Sequence, residues 1–587
     1  MEKPYFVITA LFFVAFLSII SCEQKLSSQE SISMENGENY LVDDTILIPT
    51  ADGAFINAIV VRNPKIETAQ PVILQHSIYV RDWDINTLKQ AVDSGYVGVM
   101  TYSRGKRLST DSIFPYENEA IDTYNVIDWI SNQTWCNGRV GMYGGSYNGY
   151  TQWAATKRLH PALKTIVPAA ANRPGNGLPM ENNVFINPNY EWSFLVGNNR
   201  TLDTVVGNDR QRFRGMMFGW WNSGVAYRKM DSLEGTPNRH FQRWLEHPSY
   251  DSYWQAMVPY KEEYARIHIP ILVFDGYFND SQNSSLHYFR ELYRYRPEGN
   301  NYLIIGPYGH FGAQKGERTP FRGYDFSSEG IIDPLEITYQ WFDYILKDGA
   351  KPAILKDRVN YFALEKNEWR SATSIESMAN DRLKLYLSTT EKNGFHLLKE
   401  DISGVTGYLS QEVDFRDRQT SNNTNSYPAP LVFENLNPTN GYTFATEPFE
   451  EAFLLNGSFR GIMKVKINKK DFDMGITLFE LLPDGKLMHL SGYIGRASYA
   501  EDEAHRRLLT PHEVETVPFS NTRLISKRIG VGSRILVQVD VNSNPFAQLN
   551  YGTGKDVSDE SMEDANEPLK LRWSTESFIE IPVFREQ

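Results

Sequence analysis

Cysteine is nearly absent: the 587 residues hold two, Cys22 and Cys136. Metal clusters built on several thiolates are therefore excluded, and at most one disulfide can form. Positive charge is also in deficit. Lys+Arg number 59 against 72 Asp+Glu, a net charge of −13, so the chain lacks the basic field that drives non-specific nucleic-acid binding. No H-E-x-x-H occurs, and Asp471-Phe472-Asp473 lacks the glycine and glutamate of a calcium loop, so neither a metal site nor any other cofactor is expected. Tandem repeats of about 20 to 50 residues are missing too. What remains is ordinary globular composition, 41% hydrophobic and 22% charged. That excludes disorder, collagen and a multi-span membrane protein, and at roughly 100 to 200 residues per domain it predicts three or four units. Aromatic residues are the surplus, 12 Trp, 33 Tyr and 32 Phe, and rings beyond core needs line ligand clefts.

The first residues have the order of a secretory signal: Lys3, an apolar run from Phe6 to Ile20, then Ser21-Cys22. Leu17-Ser18-Ile19-Ile20-Ser21-Cys22 resembles a bacterial lipobox, which predicts that residues 1–22 are a lipoprotein signal, that Cys22 is lipidated, and that the protein is anchored in the bacterial cell envelope. Cys136 is then a lone thiol, expected as a small packed residue. Residues 23–40, rich in Ser, Glu and Gln, read as a flexible tether.

Strand and helix patterns alternate over 41–171, as in Phe55 to Val61, Ile85 to Ser94, Tyr96 to Tyr102, Glu117 to Ser131 and Gly141 to Tyr143. Alternation of this kind predicts βαβ units and a parallel sheet. Over 172–267 the strand bursts stop, and Trp192, Trp220, Trp221, Trp244 and Trp254 stand among Asn, Arg and Gly, predicting an inserted helical cap. The sheet pattern resumes over 268–358 with Ile269 to Phe274, Tyr302 to Ile305 and a closing helix from Pro334 to Lys347. Residues 359–587 carry short β-rich runs separated by turns, the pattern of a β-sandwich or jelly roll.

Gly141-Met142-Tyr143-Gly144-Gly145-Ser146-Tyr147-Asn148-Gly149 follows a strand and opens a helix. A serine on such a turn is held clear of its neighbours, and the next amide lies at a helix N-terminus, where unpaired donors and the helix dipole favour an oxyanion. Strict G-x-S-x-G would place glycine at Asn148; here it falls one later, at Gly149. Nucleophile, carboxylate and histidine should follow in that chain order. After Ile269 to Phe274 comes Asp275-Gly276-Tyr277-Phe278-Asn279-Asp280, and after Tyr302 to Ile305 comes Gly306-Pro307-Tyr308-Gly309-His310. Of 11 histidines, His310 alone has the required position, whereas His160, His247 and His489 fit a surface or cap placement.

Gly144-x-Ser146-Tyr147-x-Gly149, Trp129, Trp135 and Gly138 before it, Ser103-Arg104-Gly105, Phe241-x-x-Trp244-x-x-His247-Pro248 and Gly306-Pro307-x-x-His310 together resemble the cocaine esterase and Xaa-Pro dipeptidyl-peptidase family of serine hydrolases. The resemblance runs from about Val42 to the C-terminus, where Gly475 to Glu480 and Arg496-Ala497-Ser498-Tyr499 look like that family's jelly roll. It implies an α/β-hydrolase core with an inserted helical cap followed by an all-β jelly roll, Ser146 as nucleophile, His310 as base, and an oxyanion hole from the Tyr147 amide and the Tyr79 hydroxyl. The implied partner is a small-molecule ester or short peptide substrate, and the only membrane contact expected is the lipid anchor.

The acid departs from the family pattern. Family members read Gly-aromatic-aromatic-Asp, which puts Asn279 at the acid position and Asp280 one later. An asparagine orients a histidine without stabilising imidazolium, a change worth about 10⁴-fold in the worked serine-protease case. A one-residue loop adjustment that brings Asp280 to His310 is the expectation, with Asn279 itself or Asp275 as the alternatives. Ser281, Gln282 and Asn283 also replace the acidic residues with which the family's α-amino acid ester hydrolases grip an ammonium. Glu181, Glu191, Asp203 and Asp209 of the cap are the substitutes, with solvation the expected role for most. A weakened hydrolase fold that binds peptide or carbohydrate is the alternative to an enzyme.

Overall fold

The computed structural model describes residues 39–402, 407–419 and 427–586. The signal segment, Cys22 and nearly all of the 23–40 tether lie outside the described residues. The first sheet is built from β1 (Leu41–Pro49), β2 (Phe55–Arg62), β3 (Gln70–Ser77), β4 (Val97–Tyr102), β5 (Cys136–Gly145) and β6 (Leu163–Ala169). The chain then leaves for the cap, which opens with a two-stranded ribbon, β7 (Met180–Glu181) and β8 (Val184–Phe185). It returns with β9 (Ile271–Phe278), β10 (Asn301–Gly309), β11 (Val359–Ala363) and β12 (Glu368–Ala372). Their order is β1-β2-β4-β3-β5-β6-β9-β10-β11-β12, parallel from β4 to β11. The central strands read as unbroken apolar runs because helices such as α1 (Asp84–Asp93), α2 (Glu119–Ser131) and α3 (Tyr147–Lys157) flank them. In β4 every residue is buried. Cys136 is a buried free thiol.

Two boundaries differ from the sequence expectation. The cap is not free of strands, since the β7–β8 ribbon sits at its start. The hydrolase sheet also runs past 358: β11 pairs parallel with β10, and β12 folds back on β11. An apolar run such as Val359–Ala363 looks the same in either sheet, and only its pairing partner decides. The separate β system begins at Asp381–Lys392.

The cap is held by rings and side-chain caps. Asp209 and Asn238 accept from backbone N–H groups at the starts of the helices Arg210–Ser223 and Arg239–Leu245, and α4 (Pro188–Gly197) carries Trp192. Trp244, only 2% exposed, stacks at 6.5 Å on Trp192 and lies 6.5 Å from Tyr116 of the core. It therefore packs cap on core.

In the β domain, Leu487–Arg496 is buried along its whole length, unusual for antiparallel strands that face water on one side. Its first residues are covered by the β domain itself, Leu487 by Phe479 and His489 by Tyr427, and its end by the hydrolase. Ile494 packs on Val184 of the cap, Asn182 Nδ2 donates to the Ile494 carbonyl at 2.8 Å, and buried Arg173 grips Glu503 with both terminal nitrogens.

Candidate active site

β5 ends at Gly145 and α3 starts at Tyr147, leaving Ser146 alone on the turn with φ 61° and ψ −121°. A non-glycine residue there is strained and persists only where its surroundings over-determine it. Here the Ser146 N–H donates to the Ala169 carbonyl at 3.0 Å, and the Ser146 carbonyl accepts from Gly149 and Tyr150. A Cβ on Gly149 would stand 2.9 Å from Ala171, so the close helix-to-strand approach falls at Gly149. That explains why Asn148 is tolerated where the strict motif has glycine.

The Tyr147 ring turns into the core. Its hydroxyl donates to Glu119 and accepts from the Tyr116 N–H at 3.1 Å. Burial pushes the Glu119 carboxyl up to about 7, opposed by the bond to Tyr147. Only the Tyr147 amide is thus left for the site. Tyr79, on the loop after β3, lines the same cavity as Ser146, and the Ser146 side chain and the Tyr147 amide are among the groups that act on its hydroxyl. Burial raises its pKa, and the bonds from Trp192 and Ser146 oppose that. Trp192 Nε1 donates to the Tyr79 oxygen at 3.1 Å, and the Arg81 guanidinium lies 4.8 Å from the ring centre. The phenol proton therefore remains available to a developing oxyanion.

His310 follows β10, and its Nδ1 stands 2.9 Å from Asn279 Oδ1. A carbonyl oxygen only accepts, so the proton belongs on Nδ1 and the Nε2 lone pair is the basic site. Burial lowers the His310 pKa and the charge of Asp280 raises it. The expected loop adjustment does not occur. β9 and β10 keep one register up to Gly276 and Gly306, the register then shifts by one residue on the β10 side, and Phe278 pairs with Gly309; beyond it Gln282 is fastened to Leu524 of the β domain by bonds of 2.9 and 2.5 Å. Both ends of the loop are fixed, so Asn279 keeps the acid position, and exposed Asp280 acts on the histidine only through its charge. Asp275 lies behind Asn279, fully buried, and accepts from Asn279 Nδ2 at 2.7 Å.

Ser146, Tyr79, His310 and Asp280 all line one cavity of about 890 Å³. Its other walls include Trp83, Leu178, Trp192, Leu202 and Phe311; Trp83 is 54% and Phe311 72% exposed. Of the cap carboxylates, only Glu181 reaches it. Glu181 is paired with Arg523 at 3.1 Å and accepts from Asn283, whereas Asp203 and Asp209 cap helices and Glu191 is half-buried outside the cavity lining. Sequence reasoning missed Arg523, because a β-domain residue some distance along the chain carries no local sign that it closes a hydrolase cavity. His160 is buried beside Tyr124 and His247 stacks on Tyr253 in the cap. His489 is not at the surface but buried in the β domain against Tyr427. Arg104 is structural, held by Asp122 at 2.7 Å and Asp52 at 2.8 Å, and Asp471 and Asp473 are ion-paired with Arg506 and Arg496.

A serine at a strained strand-to-helix turn, a histidine after a later strand and two converging oxyanion donors mark a serine hydrolase of the α/β-hydrolase fold. The family model of X-Pro dipeptidyl-peptidase (S15 family) matches residues 52–312, and that of the X-Pro dipeptidyl-peptidase C-terminal non-catalytic domain matches 353–568. The chain belongs to this family, and it is a hydrolase acting on ester or peptide bonds. Cocaine esterase of Rhodococcus sp. (strain MB1 Bresler) is 23% identical over 568 residues, 90% of this chain and 95% of that one. Solved structures that share the fold include two similar over nearly the whole chain. An aminopeptidase from a marine sediment Thaumarchaeota archaeon has a TM-score of 0.76 at 21% identity, covering 96% of this chain and 100% of its own. An α-amino acid ester hydrolase has a TM-score of 0.75 at 20% identity, covering 96% and 99%.

Proposed function

We propose that the protein hydrolyses esters or amides of small, largely apolar acyl groups through an acyl-Ser146 intermediate. The observation that carries this is that Ser146, on a strained turn at the N-terminus of α3, lines one cavity together with Tyr79 and His310. His310 Nε2 takes the serine proton and later returns a proton to the leaving group, which divides one hard step into two. The Tyr79 hydroxyl and the Tyr147 amide meet the negative charge as it forms. An apolar acyl group suits the Trp, Leu and Phe walls. A free α-amine is not the required feature, because Gln282 and Asn283, where the ammonium-binding carboxylates of the family's α-amino acid ester hydrolases stand, are committed to the β domain, and Glu181 is already neutralised by Arg523.

Asn279 supports the second reading, a weakened hydrolase fold that binds peptide or carbohydrate. Labelling with a fluorophosphonate separates the two: modification at Ser146 is expected, and a folded protein that stays unlabelled overturns the enzyme. Turnover of p-nitrophenyl acetate against Ala-Pro-p-nitroanilide then divides esterase from dipeptidase, with the ester expected to be the better substrate. We also place the protein in the bacterial cell envelope, anchored through Cys22. Metabolic labelling with a radioactive fatty acid should mark the full chain and be lost in Cys22→Ala.

A further inference from the structure

The acid position of this hydrolase holds an amide, and an amide has two faces. If Asn279 presented its NH₂ group to His310, Nδ1 would have to be the acceptor and the proton would sit on Nε2, leaving no lone pair for Ser146. That wrong tautomer is what makes an aspartate-to-asparagine change cost about 10⁴-fold in the worked serine-protease case. Here the amide is held the other way. Its Oδ1 accepts from the Ser281 N–H at 3.1 Å and the Ser281 hydroxyl at 3.1 Å as well as from His310. Its Nδ2 is directed to Asp275 Oδ1 at 2.7 Å, and an NH₂ group has no other favourable orientation against a carboxylate.

We propose that Asp275 is a positioning residue that locks Asn279 with its oxygen toward His310 and supplies, through the amide, the negative charge the acid position lacks. The chain of bonds runs Asp275 to Asn279 to His310, and no heavy atom moves along it. This rests on the hydrolase reading above.

A structural filler is a poor account of Asp275. The residue is 0% exposed; its Oδ1 takes the Asn279 and Gly276 bonds, whereas its Oδ2 makes no close hydrogen bond among the described residues, the Ser285 hydroxyl acting on the carboxyl only from farther away. A carboxyl left half-satisfied in the core is costly, and an apolar residue would fill this place within β9 at lower cost. Burial raises its pKa to about 7, opposed by the Asn279 amide, the Gly276 N–H and the Ser285 hydroxyl; no charged side chain figures among its influences. The charged group that faces His310 is Asp280. Asp275 therefore changes charge near neutrality beside a histidine that titrates below its ordinary value. The ionised form favours the imidazolium that develops in the transition state, so turnover should rise again as pH passes about 7.

The test uses the full chain and three proteins. Asp275→Asn keeps the shape and the carbonyl that accepts from Asn279 and Gly276. It should lower kcat roughly 10-fold with KM within about two-fold, and it should abolish the rise in kcat near pH 7, a change that lost packing would not cause. Asp275→Asn/Asn279→Asp exchanges the two groups, giving His310 a carboxylate that is itself steadied by the new amide. It should exceed the wild type by about 10-fold or more. Asn279→Asp alone is not equivalent, because two buried carboxyls in contact share one proton. Fluorophosphonate labelling at Ser146 is run on all three. If the wild type labels and Asp275→Asn keeps both its kcat and its pH profile, the positioning role is wrong. It is equally wrong if the labelled double variant turns over no faster than Asp275→Asn. A wild-type protein that does not label overturns the hydrolase reading instead.

Discussion

The Ser146 turn and the Asn279 loop lie at the ends of neighbouring parts of one sheet, yet they meet their chemical demands differently. At the turn, each requirement is met by a residue of the expected kind: a strained serine, a helix N-terminus behind it, and a glycine where helix and strand come close. At the loop the expected residue is missing, and a neutral amide takes its place with a buried carboxyl behind it. A nucleophile is tightly constrained by local backbone geometry, whereas the partner of a histidine need only offer an acceptor of fixed direction. The second demand leaves more room for substitution.

Ser146→Ala should have the largest effect on this contrast, lowering kcat by roughly 10⁴-fold or more with the melting temperature retained and the fluorophosphonate label gone. Next comes Tyr79→Phe, which removes one oxyanion donor; kcat should fall about 100- to 1000-fold while KM stays close to its starting value. At the loop, Asn279→Ala should cost about 10- to 1000-fold in kcat, and Asp280→Ala less than about 5-fold. The comparison breaks if Asp280→Ala is the more damaged of the two. Because the Asp280 charge raises the His310 pKa, its removal should also move the acid limb of kcat/KM to lower pH. The smallest effect concerns stability. Glu119 is raised from 4.5 to about 7 in the fold, so the folded state holds a proton that the unfolded state releases in that interval. Its contribution is complete below about pH 4.5 and is lost as pH rises through about 7. Urea midpoints should therefore decline less steeply over that window in Glu119→Gln than in the wild type.

The turn was legible in the sequence because everything that makes it is local: Gly144, Ser146, Tyr147 and Gly149 span six residues. His310 was legible through chain order, and Tyr79 through family resemblance. The loop was only half legible. Its register pointed to Asn279, but a one-residue slip toward Asp280 looked affordable from the sequence. What forbids it is long-range, the pairing of Phe278 with Gly309 on one side and the Gln282 bonds to Leu524 on the other. The same holds for the boundary near 359, where strand pairing with β10 assigns Val359–Ala363 to the hydrolase. Arg523 was hidden for a related reason: side chains that join two units are specified by the docking of those units rather than by the residues around them.

The bond from Trp192 to Tyr79 joins the cap to the oxyanion donor. Seating the cap and aligning the phenol are consequently one event, so an acyl group large enough to displace α4 also disturbs the group that receives the negative charge. For this hydrolase, discrimination by substrate size should then register as slower acylation of bound substrate rather than as weaker binding alone.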